Sequence, residues 1–348
     1  MMQRFTNDSK TRMAAESREA PQALRRQAKS LAEPIAALAA RLRGRPPQVV
    51  LTCARGSSAH AATFGKHLIE RHVGIPVSAV APNIASLYRR RMAIEHQLFI
   101  AVSQGGGSAD IIESAVLARA AGAITVAIVN DGASPLAAAA EIVLPIEAGA
   151  ELSVAATKTV VASLAVLLRL VAAWTGDVPM LRGLDRLPDR LASASGLDWS
   201  PAVPALSAAR SLVAIGRGPT LAIAREAALK LKETCGVHAE AFSGAEFQHG
   251  PLALIEQAYP VLMFVPGDAS AEGLAALAAD LATKGAQVFA AGGPLAGAAT
   301  LPTLEPDHPD ADSICLIQSF YQCVVQAADR RGRDADRPPH LQKVTRTR

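Results

Sequence analysis

The chain has 348 residues, half of them hydrophobic and only 4% aromatic, so its core is expected to be built from Ala, Val, Leu and Ile as one large or two medium domains. The net charge of +4 is carried by basic residues dispersed along the chain, too diffuse to argue nucleic-acid binding. Four cysteines, Cys53, Cys235, Cys315 and Cys323, form no C-x-x-C pair and no secreted framework, so buried free thiols and a reducing, cytoplasmic location are expected.

Residues 1–10 read as a disordered lead-in, and from Thr11 to about Arg43 the pattern is helical, giving a lead-in over 1–45. The polar, charged start has no apolar signal-peptide core. After Pro46-Pro47 comes a β-branched strand, Gln48 to Cys53, then the loop Ala54-Arg55-Gly56-Ser57-Ser58 and an Ala-rich helix ending near Glu70. The grammar repeats over 46–176. An extended Ile75–Val80 is followed by a strand Gln97–Val102, the loop Ser103 to Ser108, and a helix Ala109–Ala121. A strand Ile124–Val129, a short helix after Pro135, an extended Ile142–Pro145 and a long helix from about Thr157 complete this half. Within that last helix Val160–Trp174 is apolar but interrupted by Arg169 and preceded by Lys158; it reads as a buried helix and not a membrane span.

Residues 177–206, rich in Pro, Gly and Asp between helical pieces, read as a connector, and over 207–331 the pattern restarts. Ser211 to Gly218 is a strand entering a glycine loop, like the run that ends at Arg55-Gly56, and each is followed by a helix closing on a glutamate, Glu70 or Glu233. That correspondence suggests an internal duplication. Strands Val261–Val265 and Ala286–Ala291, a helix Ala271–Thr283 and a last helix from about Asp312 to Arg330 follow. The charged, Pro-containing tail 332–348 is expected to be an extended arm. Strand, loop and helix in alternation mean a parallel α/β sheet in each half, doubly wound and three-layered like flavodoxin.

Two features carry chemistry. Ser57-Ser58 and Ser103 to Ser108 sit where a strand ends and a helix begins, which aims backbone N–H groups, the helix dipole and serine hydroxyls at one spot. One such loop alone reads as helix capping; two at strand carboxyl ends point to a phosphate, and with neither a Walker nor a Rossmann glycine pattern, to a small phosphorylated metabolite. The second feature is the stretch 227–251, where Lys230, Lys232, Glu233, His238, Glu240, Glu246 and His249 lie among apolar residues and are expected to be half buried and close together, a setting for proton transfer. His238 reads as a structural histidine, and His249, on a Gly-Pro turn, as a better catalyst. No metal-ligand spacing is visible, so neither metal nor cofactor is expected.

Taken together, these residues resemble the sugar isomerase (SIS) domain family, in particular the isomerase half of glucosamine-6-phosphate synthase and its stand-alone deaminase-like relatives. The matching stretches are Met13 to Pro21, Arg55 to Ser58, Ser103 to Ser108, Glu151 to Lys158, Leu229 to Glu233, His249 to Ala253, and Asp336 to Thr345. The resemblance implies two tandem SIS subdomains, with Ser57, Ser58, Ser103, Gln104, Ser108 and Val154 on the phosphosugar. It makes Glu233 the base between C1 and C2, and His249, supplied by a neighbouring subunit, the ring-opening group. Lys343 would engage the ketose carbonyl, and Lys230 and Glu226 would support the site. It also implies a homodimer with a shared active site.

The chain departs from that pattern at Gly105, where the synthase loop usually carries serine, and in a tail one residue shorter beside Lys343. Before residue 46 there is neither room for a glutaminase domain nor a nucleophilic cysteine, so release of ammonia is the preferred direction: glucosamine 6-phosphate to fructose 6-phosphate. The alternatives are an aminotransferase-type synthase fed by ammonia from elsewhere, a related enzyme for another amino sugar, and a non-catalytic phosphosugar-binding regulator.

Overall fold

The computed structural model describes residues 11–343, so the expectations for residues 1–10 and for Val344 and Thr345 lie outside the described residues. Aliphatic and β-branched runs bounded by Pro, Gly and Ser become the strands. In the first half these are β1 (Val50–Cys53), β2 (Val77–Ala79), β3 (Leu98–Ser103), β4 (Ile124–Val129) and β5 (Ile142–Pro145). In the second they are β6 (Ser211–Gly216), β7 (His238–Ser243), β8 (Pro260–Phe264), β9 (Gln287–Ala291) and β10 (Ala298–Thr300). Every pairing is parallel. The orders are β2-β1-β3-β4-β5 and β7-β6-β8-β9-β10, so each half, numbered from its own first strand, reads 2-1-3-4-5. That is the flavodoxin-like order, whose ligand crevice opens at the carboxyl ends of the first and third strands.

The helices are α1 (Arg12–Ser17), α2 (Ala20–Ser30), α3 (Ala32–Gly44), α4 (Gly56–Leu68), α5 (Asn83–Ser86), α6 (Ala109–Ala120), α7 (Pro135–Ala139), α8 (Lys158–Thr175), α9 (Val178–Ala194), α10 (Val203–Ala208), α11 (Thr220–Lys230), α12 (Gly244–Phe247), α13 (Leu274–Thr283) and α14 (Pro309–Arg330). Strand alternation sorts side chains between two cores. Val50, Leu98, Ile100 and Val126 join a central core shared with α4, α8, α11 and α14, whereas Leu51, Phe99, Ala101 and Ala127 face α6 and α7 on the outside. The second sheet does the same, with Leu212 and Ala214 inward and Val213 and Ile215 toward α13.

Helix α8 is long and apolar enough to cross a membrane by length and composition, but it lies inside the fold with most of its residues buried. It approaches α4 at Gly65, where a Cβ would come within 2.9 Å of Leu167.

The structure differs from the sequence reading in three places. The connector at 177–206 is helical over most of its length, beyond the helical pieces expected: Asp177 caps α9, which carries Pro188 in its interior and buries Leu184, Leu187 and Leu191. The edge strands β7 and β10 were not anticipated. Residues 333–343 of the arm are free of helix and strand, but they are anchored: the Asp336 carboxylate accepts from the Arg12 and Met13 backbone N–H groups at 2.8 Å each, capping the start of α1.

Candidate active site

A cavity of about 540 Å³ opens at the carboxyl edge of the first sheet. Its floor is set by two strand-to-helix turns. After β1, extended Arg55 leads into Gly56, which begins α4 in the left-handed region (φ 52°), and Ser57 and Ser58 follow in the first turn. After β3, the Ser103 hydroxyl accepts from the Gly106 N–H at 3.1 Å, and Ser108 is the residue from which α6 starts. Gly106 is left-handed (φ 61°) and lies against Ser134, where a Cβ would collide with the serine side chain. Both helix N-termini thus meet at one end of the cavity, the arrangement that suits an anion.

A second wall, adjoining Ser57, comes from the second half. Helix α11 ends in a π-helical turn, Leu231–Cys235, closed by left-handed Gly236. The turn brings Glu233 to the cavity, its Oε2 2.5 Å from the Lys230 ammonium. Lys230 is completely buried and also reaches Glu226 at 3.3 Å and the Ser57 hydroxyl at 3.1 Å. Glu226 accepts from Ser57 at 3.1 Å and faces His60 Nδ1 at 2.7 Å. Burial alone would push Glu226 up, but Lys230, His60 and Ser57 outweigh it and hold the carboxyl below its usual range. Burial would likewise lower Lys230, but Glu226 and Glu233 hold it above the ordinary lysine value. Because α4 supplies Ser57 and His60 and α11 the rest, this buried His60–Glu226–Lys230–Glu233 chain ties the two halves together at the site.

A third group closes the cavity. Glu151, its side chain fully buried, accepts from Gln104 Nε2 at 2.8 Å, the Thr159 hydroxyl at 2.7 Å and the Thr157 N–H at 3.0 Å, at the start of α8. The returning tail places the Lys343 amine 3.2 Å from Glu151 and 2.6 Å from the Ser153 carbonyl. Glu16, in the entry segment, accepts from the Leu152 and Ser153 N–H groups at 2.6 and 3.1 Å and so fixes this loop.

Of the residues singled out in the sequence, Ser57, Ser58, Ser103, Gln104, Ser108, Val154, Glu233 and Lys343 line this one cavity, with Lys230 and Glu226 directly behind. His249 does not: it lies on the exposed turn after α12 and is not among the lining residues. The expected cluster of half-buried charges in 227–251 is also narrower than anticipated. His238 and Glu240 point outward from the edge strand β7, and Glu246 is exposed on α12. Glu233, expected among apolar residues, is instead paired with the Lys230 ammonium. Sequence reasoning missed His60, the web around Glu151, and Arg55, whose guanidinium pairs with buried Asp110. Only the alternation through 238–243 could have warned that those charges lie on a strand.

The equivalent place in the second half is filled. The π turn after α4, Ile69–Val73, sends Arg71 to Asp268 at 2.5 Å and to Asp310 at 3.3 Å, while His72 reaches Asp310 at 2.9 Å. Ser270 and His67 press on the Gly218 loop. Among the described residues no three His, Cys, Asp or Glu side chains group as metal ligands.

Serine-lined turns on one doubly wound sheet, faced by a carboxylate–amine pair from a second sheet of the same order, define the sugar isomerase class of α/β protein. The chain belongs to the SIS domain family, whose model matches residues 47–173 and 205–301. It is related to the isomerase half of the glutamine–fructose-6-phosphate aminotransferases [isomerizing]. It is 40% identical over 227 residues to the one from Symbiobacterium thermophilum, covering 61% of this chain and 37% of that protein. It is 31% identical over 309 residues to the one from Caulobacter vibrioides, covering 83% and 50%. The chain thus spans half or less of the length of these curated relatives. A crystal structure of a candidate phosphosugar isomerase from Silicibacter pomeroyi DSS-3 is 44% identical, covers 94% of this chain and 100% of its own, and superposes with a TM-score of 0.90.

Proposed function

We propose that this chain is a phosphosugar isomerase that acts as a deaminase, converting glucosamine 6-phosphate and water to fructose 6-phosphate and ammonia. The observation that carries the reading is Glu233, a carboxylate at the wall of the serine-lined cavity, held by a fully buried ammonium at 2.5 Å. In the open-chain sugar the C2–H bond breaks, the proton passes to Glu233, and its electron pair forms the C1–C2 double bond while the C1 carbonyl π pair moves onto O1, which takes up a proton. As the nitrogen lone pair closes onto C2 the double-bond pair takes the proton back at C1, leaving a protonated imine at C2, to which water adds and from which ammonia departs. Lys230 fixes the carboxylate and balances its charge; Lys343 stands across the cavity to meet the carbonyl end; the serine turns take the phosphate.

The test is coupled release of ammonia and fructose 6-phosphate from glucosamine 6-phosphate. Glu233→Gln is expected to lower kcat on the order of 10²- to 10⁴-fold; an unimpaired variant would remove Glu233 from the role of base. A second reading, synthesis of glucosamine 6-phosphate from fructose 6-phosphate and free ammonia, is supported by the aminotransferase relatives. It is checked by running the same assay in reverse with ammonium.

The exposed position of His249, away from its own chain's cavity, supports a homodimer in which each copy completes the other's site. Full activity in a monomer at high dilution would dismiss it. Four buried, unpaired cysteines support a reducing cytoplasmic setting. Reducible disulfides in protein isolated under non-reducing, thiol-blocked conditions would count against it.

A further inference from the structure

We propose that Arg55 is the residue that makes the cavity select a phosphate dianion, a role that rests on the phosphosugar reading above. The residues of the serine turns, Ser57, Ser58, Ser103, Gln104 and Ser108, are all neutral donors. The cavity's charged lining is Arg55 and Lys343 against Asp131, Glu151 and Glu233, so carboxylates outnumber cations. Lys343 is tied to the Glu151 Oε2, which also accepts from Gln104, and to the Ser153 carbonyl, while Lys230 behind Ser57 is shared by Glu226 and Glu233. Arg55 is the cation carried on a serine turn itself, so a dianion between the turns draws its charge partner from Arg55.

The geometry suits that task. Arg55 is extended (φ −136°, ψ 158°) immediately before α4, and its side chain crosses to Asp110 in the first turn of α6. Nε and Nη2 donate to Asp110 Oδ2 at 2.7 and 2.5 Å. The Asp110 side chain is 1% exposed and the Arg55 side chain 49%. One edge of the planar guanidinium is thus fixed by a buried carboxylate between two helix N-termini. Nη1 makes no hydrogen bond among the described residues, so the other edge is left for the fork geometry that phosphate prefers.

The same position in the second half shows what happens without a ligand site. Arg217, also just before a left-handed glycine, donates its Nη1 to the Glu272 carbonyl at 3.2 Å, and the neighbouring Asp268 is taken by Arg71.

The experiment measures inorganic phosphate binding by calorimetry, and steady-state kinetics on glucosamine 6-phosphate, for wild type and for Arg55→Met/Asp110→Asn. The double variant removes both partners so that no buried charge is stranded. The expected result is a phosphate Kd and a KM raised roughly 10- to 100-fold with kcat little changed. A folded double variant that binds phosphate like wild type overturns the assignment to Arg55 and leaves the phosphosugar reading standing. Wild type that binds neither phosphate nor glucosamine 6-phosphate overturns both. If the double variant does not fold, Arg55→Lys, which keeps a charge beside Asp110 but not the fork, carries the same test. A raised phosphate Kd supports the role, and an unchanged one overturns it.

Discussion

Lys230 has no exposed surface, yet it touches Glu226, Glu233 and the Ser57 hydroxyl, and those contacts decide what its replacement does. Lys230→Met leaves two carboxylates facing each other without their shared counter-charge, a loss on the order of 3–5 kcal/mol. We expect a lower urea midpoint together with loss of turnover; a variant as stable as wild type would contradict the buried ion network. The pH dependence follows from the same group. Glu226 is held below its ordinary range, so its contribution is present above the unfolded carboxylate pKa and is lost as pH falls through the folded one. Lys230 is held above its ordinary value, so its contribution is complete at neutral pH and is lost as pH rises through the folded value. Urea midpoints should fall on both the acid and the alkaline side, and an unchanged midpoint from pH 7 down to about pH 3 would contradict the first limb. That Glu233 and the serines are candidates for one site was legible because their motifs are local. Glu151 and Arg55 were not, since Gln104 and Lys343 come to Glu151 from 47 and 192 residues away, and Asp110 lies 55 residues from Arg55.

At the scale of elements, α4 and α11 run antiparallel across the junction of the halves: Ser57 meets Lys230, His60 meets Glu226, Thr63 meets Arg225, and His67 lies near Gly218. The close seating of α8 on α4 depends on Gly65. Gly65→Val puts branched carbon where Leu167 already lies, and we expect a loss of about 1–3 kcal/mol in a urea melt with little change in KM. An unchanged midpoint would mean that Leu167 yields freely. The buried strands β1, β3, β4, β6 and β8 were readable because strands covered on both faces are continuous aliphatic runs. β7 and β10 escaped because edge strands need only one apolar face: β7 begins exposed, buried, exposed, and β10 is three residues of Ala and Thr. Helix α9 was read only as helical pieces of a connector because of its Pro, Gly and Asp content, although Pro179 falls in its first turn, where proline costs little, and Pro188 sits within a helix held by its buried leucines.

At the scale of the molecule, two sheets of identical strand order share a central core, and the first carries an open cavity lined by serines. The second has Arg71, His72, Asp268 and Asp310 in the corresponding place. We expect calorimetric titration with glucosamine 6-phosphate to give one site per chain; two equivalent sites would contradict this division. The duplicated grammar was visible in the sequence as two strand–glycine–helix–glutamate runs, but the fate of each copy was not, because an acid at 268 fills its site only once the other half delivers Arg71. The reciprocal exchange of α4 and α11 therefore gives the two copies unequal freedom to drift. Substitutions at Arg71 or Asp268 weaken a clamp, a loss that stabilising changes elsewhere can offset, whereas those at Lys230 or Glu233 change the charged wall of the open cavity, which no repair at a distance restores.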